Sequence, residues 1–159
     1  MNFNTLIETI RNAIALASTI KTWAEANYGR VHNTYIGTDP RNSPDSSKYP
    51  LIAIYPVSKK TGYDSMERIH DVDIVCGIYD ENYTVTGEDN ITEYTGIKNI
   101  ESFRKLIETA VTELTVTELG GRIDALNIIY EPLEFFPYFL AGMTFRVIED
   151  LSQGDDPFM

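Results

Sequence analysis

Arg68-Ile69-His70-Asp71-Val72-Asp73-Ile74-Val75-Cys76-Gly77-Ile78-Tyr79-Asp80 is the stretch from which the fold is read. Val72, Ile74, Cys76 and Ile78 alternate with Asp71, Asp73, Val75, Gly77 and Tyr79, the period-two pattern of a strand. One face is wholly apolar and must meet a covering layer. The other is charged at one end and apolar at the other. The pattern predicts a long strand over Arg68–Asp80 with one end in solvent and the other in the core.

Upstream, Leu51-Ile52-Ala53-Ile54-Tyr55 is a short apolar strand bounded by Pro50 and Pro56, suited to a central position. Ser58 to Asp64, with Lys59-Lys60 and Gly62, reads as a turn or loop tip. Tyr35 to Pro50 is rich in Gly, Pro, Ser and Asn and predicts a surface loop. Before it, apolar residues at Phe3, Leu6, Ile7, Ile10, Ala13, Ile14, Ala17, Ile20 and Ala24 line one helical face from about Asn4 to Asn27. Asn4 can cap this helix, Tyr28-Gly29 can stop it, and it would be about 36 Å long. Trp23 reads as a core anchor.

Downstream, Tyr83-Thr84-Val85-Thr86 and Ile91-Thr92-Glu93-Tyr94 flank Gly87-Glu88-Asp89-Asn90 and are rich in strand formers. They predict an extended hairpin, with an unstructured loop as the alternative. A second helix is expected from about Ile97 to Leu119, with a Glu101–Lys105 pair on its surface and Gly120-Gly121 at its end. Leu126–Tyr130 and Tyr138–Asp150 are the last strands, with Phe139, Ala141, Met143, Phe145 and Val147 on one face. The expected fold is therefore α+β: two layers, a mostly antiparallel or mixed sheet of about four strands, and two long amphipathic helices on one face. The other sheet face is mixed and aromatic, suited to partial cover by a neighbouring subunit. Residues 1–150 are expected as one domain and residues 151–159 as a flexible acidic tail.

Composition agrees with a globular chain. Of 159 residues, 43% are hydrophobic and 23% charged, which excludes a wholly disordered polymer. Thirteen Lys and Arg against 24 Asp and Glu give a charge of −11, the wrong sign for a general nucleic-acid binder or an anionic membrane. Residues 1–70 carry eight basic and six acidic groups, whereas residues 71–159 carry five and 18. A head-to-tail ring can use such polarity, unless the fold interleaves the two halves. No apolar run is long enough to span a bilayer, and no signal peptide is read at Met1–Ile20. One cysteine, Cys76, excludes an internal disulfide framework and reads as a small buried hydrophobe. The chain is expected to fold in a reducing cytosol.

No catalytic, cofactor or metal site is expected. His32 and His70 lack zinc spacing, and Asp71 with Asp73 offers two carboxylates without a third ligand. Gly120-Gly121 follows a helix, so it is a cap rather than a phosphate cradle. The least ordinary segment is Glu131-Pro132-Leu133-Glu134-Phe135-Phe136-Pro137-Tyr138-Phe139-Leu140, with four aromatics in five residues. Aromatics are enriched in interface cores, so Phe135, Phe136 and Tyr138 are candidates for contact with another chain. Tyr83 and Tyr94 on the hairpin, and Lys59 and Lys60 at the loop tip, complete the candidate set.

Tyr35-Ile36-Gly37-Thr38-Asp39, then Tyr49-Pro50-Leu51-Ile52-Ala53-Ile54-Tyr55-Pro56, a long strand, a helix and Phe136-Pro137-Tyr138-Phe139-Leu140-Ala141-Gly142-Met143-Thr144-Phe145-Arg146-Val147 follow one another. This order resembles the tail terminator, or tail-completion, proteins of long-tailed bacteriophages, and related neck proteins are similar. The resemblance covers roughly residues 3–150. It implies an α+β virion subunit, assembled in the host bacterial cytoplasm, that forms a ring, usually hexameric, at the head–tail junction. Its partners would be copies of itself, the tail tube protein and the head–tail connector. The ring caps the tube, ends its polymerisation and joins it to the head, with no bond broken. DNA would pass an acidic lumen without sequence-specific contact. Other assignments are a head-closure or tube protein, a small cytosolic binding module, or an unrecognised enzyme.

Overall fold

The computed structural model describes residues 2–61, 67–131 and 135–150. Helix α1 spans Phe3–Leu16 and α2 spans Ser18–Tyr28. Strands β1 (Asn33–Ile36), β2 (Leu51–Thr61) and β3 (Glu67–Tyr79) follow, then a small hairpin of β4 (Tyr83–Thr86) and β5 (Ile91–Tyr94). Helix α3 (Thr95–Thr112) and the short α4 (Val116–Leu119) lead to β6 (Arg122–Glu131) and β7 (Tyr138–Asp150). The main sheet has the order β1-β2-β3-β7-β6. Only the β1–β2 pair is parallel. The architecture is the expected α+β one, with one more strand in the sheet.

The core lies between one sheet face and the helices. Its sheet side is Ile52 and Ile54 of β2, Val72, Ile74, Cys76 and Ile78 of β3, and Phe139, Ala141, Met143, Phe145 and Val147 of β7. The register places them in rows: Ile54 opposite Ile74, which is opposite Met143, which is opposite Ile128. Leu6, Ile7, Ile10 and Ile14 of α1, and Ile100, Phe103, Ile107 and Val111 of α3, close the other side. Trp23 stacks on Phe103 at 5.1 Å with planes 8° apart, worth about 0.5–1.5 kcal/mol beyond burial.

Several local expectations need correction. The first helix is broken at Ala17, which is extended at ψ 113°. His32 is the reason: its ring Nε2 hydrogen-bonds to the Ile14 carbonyl at 2.9 Å, a side chain inserted where the helical ladder would continue. Asn2, rather than Asn4, caps α1, accepting from the Asn4 amide at 2.9 Å. The expected Tyr35–Pro50 loop begins inside a strand, because Asn33–Ile36 pairs with Leu51–Ile54. Lys59 and Lys60 are on β2 rather than on a loop tip, since a bulge between Pro56 and Ser58 lets the strand run on. Beyond Ile54 the β1 side of β2 is an edge, where a proline costs no ladder bond. Residues 62–64 of the expected turn, residues 132–134 and the tail 151–159 lie outside the described residues.

The second helix also ends earlier than expected. α3 stops at Thr112, and Thr115 opens α4 with a reciprocal capping box to Glu118. Gly120, at φ 74°, closes α4 as expected of a left-handed cap.

Candidate assembly surface

The aromatic candidates meet at one end of the sheet. Tyr83 and Tyr94 are cross-strand partners on β4 and β5, with ring centroids 5.7 Å apart. Tyr94 meets Phe136 edge-on at 5.4 Å, and Phe136 meets Phe139 at 6.0 Å. Phe139 is buried, so this line of rings runs from an exposed arm into the core. The arm is otherwise in water: Tyr83, Val85, Ile91 and Tyr94 are all exposed. A lone two-stranded hairpin is marginal by itself. Here β5 passes directly into α3, whose Gly96 packs so closely on Phe139 that a Cβ would lie 2.2 Å from the ring.

The root of the arm is held by polar groups. Tyr28 donates its hydroxyl to the buried Asp80 at 2.8 Å, and Asn99 donates to the same hydroxyl at 2.9 Å. Asp80 also accepts from the Asn82 amide at 2.9 Å, while its own amide bonds the Pro137 carbonyl at 2.9 Å. Burial pushes the Tyr28 hydroxyl well above the usual tyrosine range, so it stays a donor. The end of β3, the end of α2, the start of α3 and the turn before β7 are thus tied at one point.

Tyr138 points to the opposite, helix-free face. Its ring touches Tyr79 at 5.1 Å and Tyr49 at 5.0 Å, both edge-on. Tyr49 closes the connection between β1 and β2, which crosses this face. The ring lies over Gly77, where a Cβ would sit 2.8 Å away. Tyr49, Tyr138, Leu140 and Phe135 line an aromatic cleft of about 510 Å³, with Pro44 and Asp45 on its loop wall. Phe135 is 50% exposed and Phe136 47%. Tyr83, Tyr94 and Phe136 are thus joined through ring contacts, whereas Phe135 and Tyr138 line the cleft on the outer face. Tyr49 and Tyr79 of that face, and Asp80 at the root of the arm, are isolated in sequence and gave only the weak signal of residues ending a strand or preceding a proline.

Lys59 and Lys60 belong elsewhere. Lys59 is opposite His70 on β3, nine residues from Tyr79, or about 30 Å along the strand. Near this second end, buried His70 lies 3.7 Å from Glu149 and 5.3 Å from the ring of Phe3. Burial, with Lys59 nearby, lowers the His70 pKa and keeps its ring neutral. Glu149 also pairs with Arg68 at 3.8 Å. The halves of the chain are interleaved here, so the charge asymmetry along the sequence is partly averaged in space.

Other candidates have structural roles. Asp71 accepts from Arg146 Nε at 3.0 Å and Nη2 at 3.2 Å and from Ser58 at 3.0 Å, and the guanidinium lowers its pKa. Asp73 accepts from Thr144. Among the described residues no three His, Cys, Asp or Glu side chains are grouped to hold a metal ion. Cys76 is fully buried, and burial pushes its thiol up to about 12. Arg104 of α3, a cation not foreseen in the core, is clamped by Glu101 at 2.9 Å and Glu108 at 2.6 Å and also bonds Tyr130 at 3.1 Å. Among the described residues, no helix is long and apolar enough to cross a membrane. No protein-family model matches this chain, and no curated protein matches its sequence.

Proposed function

We propose that this protein is a structural subunit that assembles with copies of itself into a ring, at the junction of a phage head and tail. The observation that carries the reading is the exposed arm. Four large apolar side chains, Tyr83, Val85, Ile91 and Tyr94, sit on eight strand residues, continuous through Phe136 with the core. Exposed aromatics on a rigidly rooted projection suit burial against another protein. The mixed outer sheet face, with Tyr35, Tyr55, Tyr79 and Tyr138 half-buried, offers a second contact surface. Two unlike surfaces on one subunit are what a head-to-tail ring needs. The order of elements, which resembles tail terminator proteins, supplies the biological setting: capping the tail tube, halting its growth and presenting a face to the connector.

Native mass spectrometry and negative-stain imaging of the purified protein test this. A closed oligomer of fixed stoichiometry is expected, alone or with tail tube and connector proteins. Phe136→Asp is expected to shift that oligomer to monomer while retaining the folded circular-dichroism spectrum. A wild-type protein that stays monomeric with those partners present overturns the reading.

A further inference from the structure

We propose that the outer edge of β6 pairs antiparallel with β6 of a second copy, about a two-fold axis at Asn127. The contact is isologous, so it differs from the head-to-tail contact of the ring and does not rest on it. β6 is the last strand in the sheet order, and among the described residues β7 is the only strand paired with it. Such an edge presents a row of backbone N–H and C=O groups that an extended chain can satisfy. Ala125, Asn127, Ile129 and Tyr130 are exposed along it.

The two edges of the sheet are built differently. The opposite edge carries the devices that keep foreign strands away: shortness, proline, bulges and lysine. β1 has only four residues, and β2 beyond it holds Pro56, a bulge between Pro56 and Ser58, and exposed Lys59 and Lys60. β6 has ten residues and no proline, lysine or glycine. Its charges sit at its ends, Arg122 and Asp124 at one and Glu131 at the other. Between them runs the uncharged Ala125-Leu126-Asn127-Ile128-Ile129-Tyr130, with Ile129 56% exposed.

This strand is complementary to itself in one register. Its bulge makes Asp124 an extra residue, so Arg122, Ile123 and Ala125 occupy successive rungs opposite Ile148, Val147 and Arg146. Nine rungs result, and Asn127 is the middle one. A two-fold axis there sets Leu126 against Ile128, Ala125 against Ile129, Ile123 against Tyr130, and Arg122 against the position of Glu131. Each pair shares a face: Leu126 and Ile128 stand opposite the core residues Phe145 and Met143, whereas Ala125 and Ile129 are on the outer side. Apolar and opposite-charge pairs directly across a ladder stabilise it. Moving the axis to Leu126 sets Arg122 against Ile129, and moving it to Ile128 leaves Arg122 past the end of the strand. Charge and apolar matching therefore select a second copy of β6, in this register, as the occupant. A single ladder of this length belongs with small, transient interfaces below about 1,200 Å², so the pair forms at high protein concentration and separates on dilution.

The test places a cysteine at the axis in the full-length chain. Asn127→Cys sets two thiols across the ladder with their Cβ atoms about 4.5–5.5 Å apart. The native Cys76 is fully buried and does not compete. A short bismaleimide is expected to link Asn127→Cys into covalent dimers at least tenfold faster than Lys60→Cys, whose thiol lies on the guarded edge. Adding Ile129→Lys to Asn127→Cys is expected to slow the linking at least tenfold while the folded circular-dichroism spectrum is kept. Equal rates at positions 127 and 60, or undiminished linking in the folded Ile129→Lys variant, overturn the inference. Negative-stain images read the ring separately, and rings that do not cross-link at position 127 sink only this contact.

Discussion

Tyr94 and Phe136, 42 residues apart in sequence, meet edge to face at 5.4 Å with their planes 80° apart. This contact couples the arm to the turn that opens β7. Phe136 is half exposed, so only about half of a full Phe→Ala core loss applies. Phe136→Ala is expected to lower global stability by about 1.5–2.5 kcal/mol. Amide exchange over residues 83–94 is expected to speed up more than exchange in β3. Equal acceleration throughout would mean that the arm is not separately anchored.

The Arg104 cluster predicts an asymmetry. The Arg104 side chain is 4% exposed, whereas Glu101 and Glu108 are 35% and 33% exposed. Removing both carboxylates by Glu101→Ala and Glu108→Ala strands a buried cation and is expected to cost about 3–5 kcal/mol. Arg104→Met leaves two carboxylates that can turn to water, and it is expected to cost no more than about 1–2 kcal/mol. Urea midpoints of the two variants check the order.

The same cluster sets an acid limit. The hydrogen bond from Arg104 holds the Glu101 carboxyl down at about 2. A carboxyl depressed in the folded state adds stability above its unfolded value, near 4.3, and loses it as pH falls toward the folded value. Stability is therefore expected to fall between about pH 5 and pH 2, and less steeply in Glu101→Gln. Parallel slopes in the two proteins would remove Glu101 from the account.

Gly96 and Gly142 form a matched pair of tests. A Cβ at Gly96 would lie 2.2 Å from the Phe139 ring, whereas at Gly142 the nearest atom is 3.9 Å away. Gly96→Ala is expected to destabilise by about 1–3 kcal/mol and to displace the start of α3, and so the arm. Gly142→Ala is expected to be neutral. Thermal melts of both variants measure the contrast.

Cys76 is a single internal reporter. It is fully buried with its thiol pushed up to about 12, so the native state offers almost no thiolate. Labelling by a thiol reagent is expected to follow global unfolding, with a rate that tracks the urea dependence of stability. Fast labelling in the absence of denaturant would reveal a local opening of β3 and β7.

Period-two strands were the most legible part of this chain. Every residue read onto the inner faces of β3 and β7, from Val72 to Ile78 and from Phe139 to Val147, is buried. The hairpin was legible from its Gly87-Glu88-Asp89-Asn90 turn, where Gly87, Glu88 and Asp89 all take positive φ. What escaped was set by distant parts of the chain. β1 has four residues and exists through a parallel partner 18 positions away. The break at Ala17 depends on an imidazole from beyond the second helix. Lys59 and Lys60 resemble a turn until the bulge at Pro56 is known. Glu101 and Lys105 do lie 3.6 Å apart, but the stronger partner of Glu101 is Arg104, which reads as a solvent residue by type alone. Of the candidate surface, the cluster around Pro137 was visible as composition. Its union with Tyr49 and Tyr79 required the register of the sheet.

β3 and β7 run antiparallel along their whole length, 13 residues each, between the aromatic end and the lysine end. Tension applied between those ends acts parallel to the strands. The rungs of that ladder then share the load in shear, instead of being opened one after another as in peeling. The fold is stiffest to stretching along this line and yields more easily when pried across it.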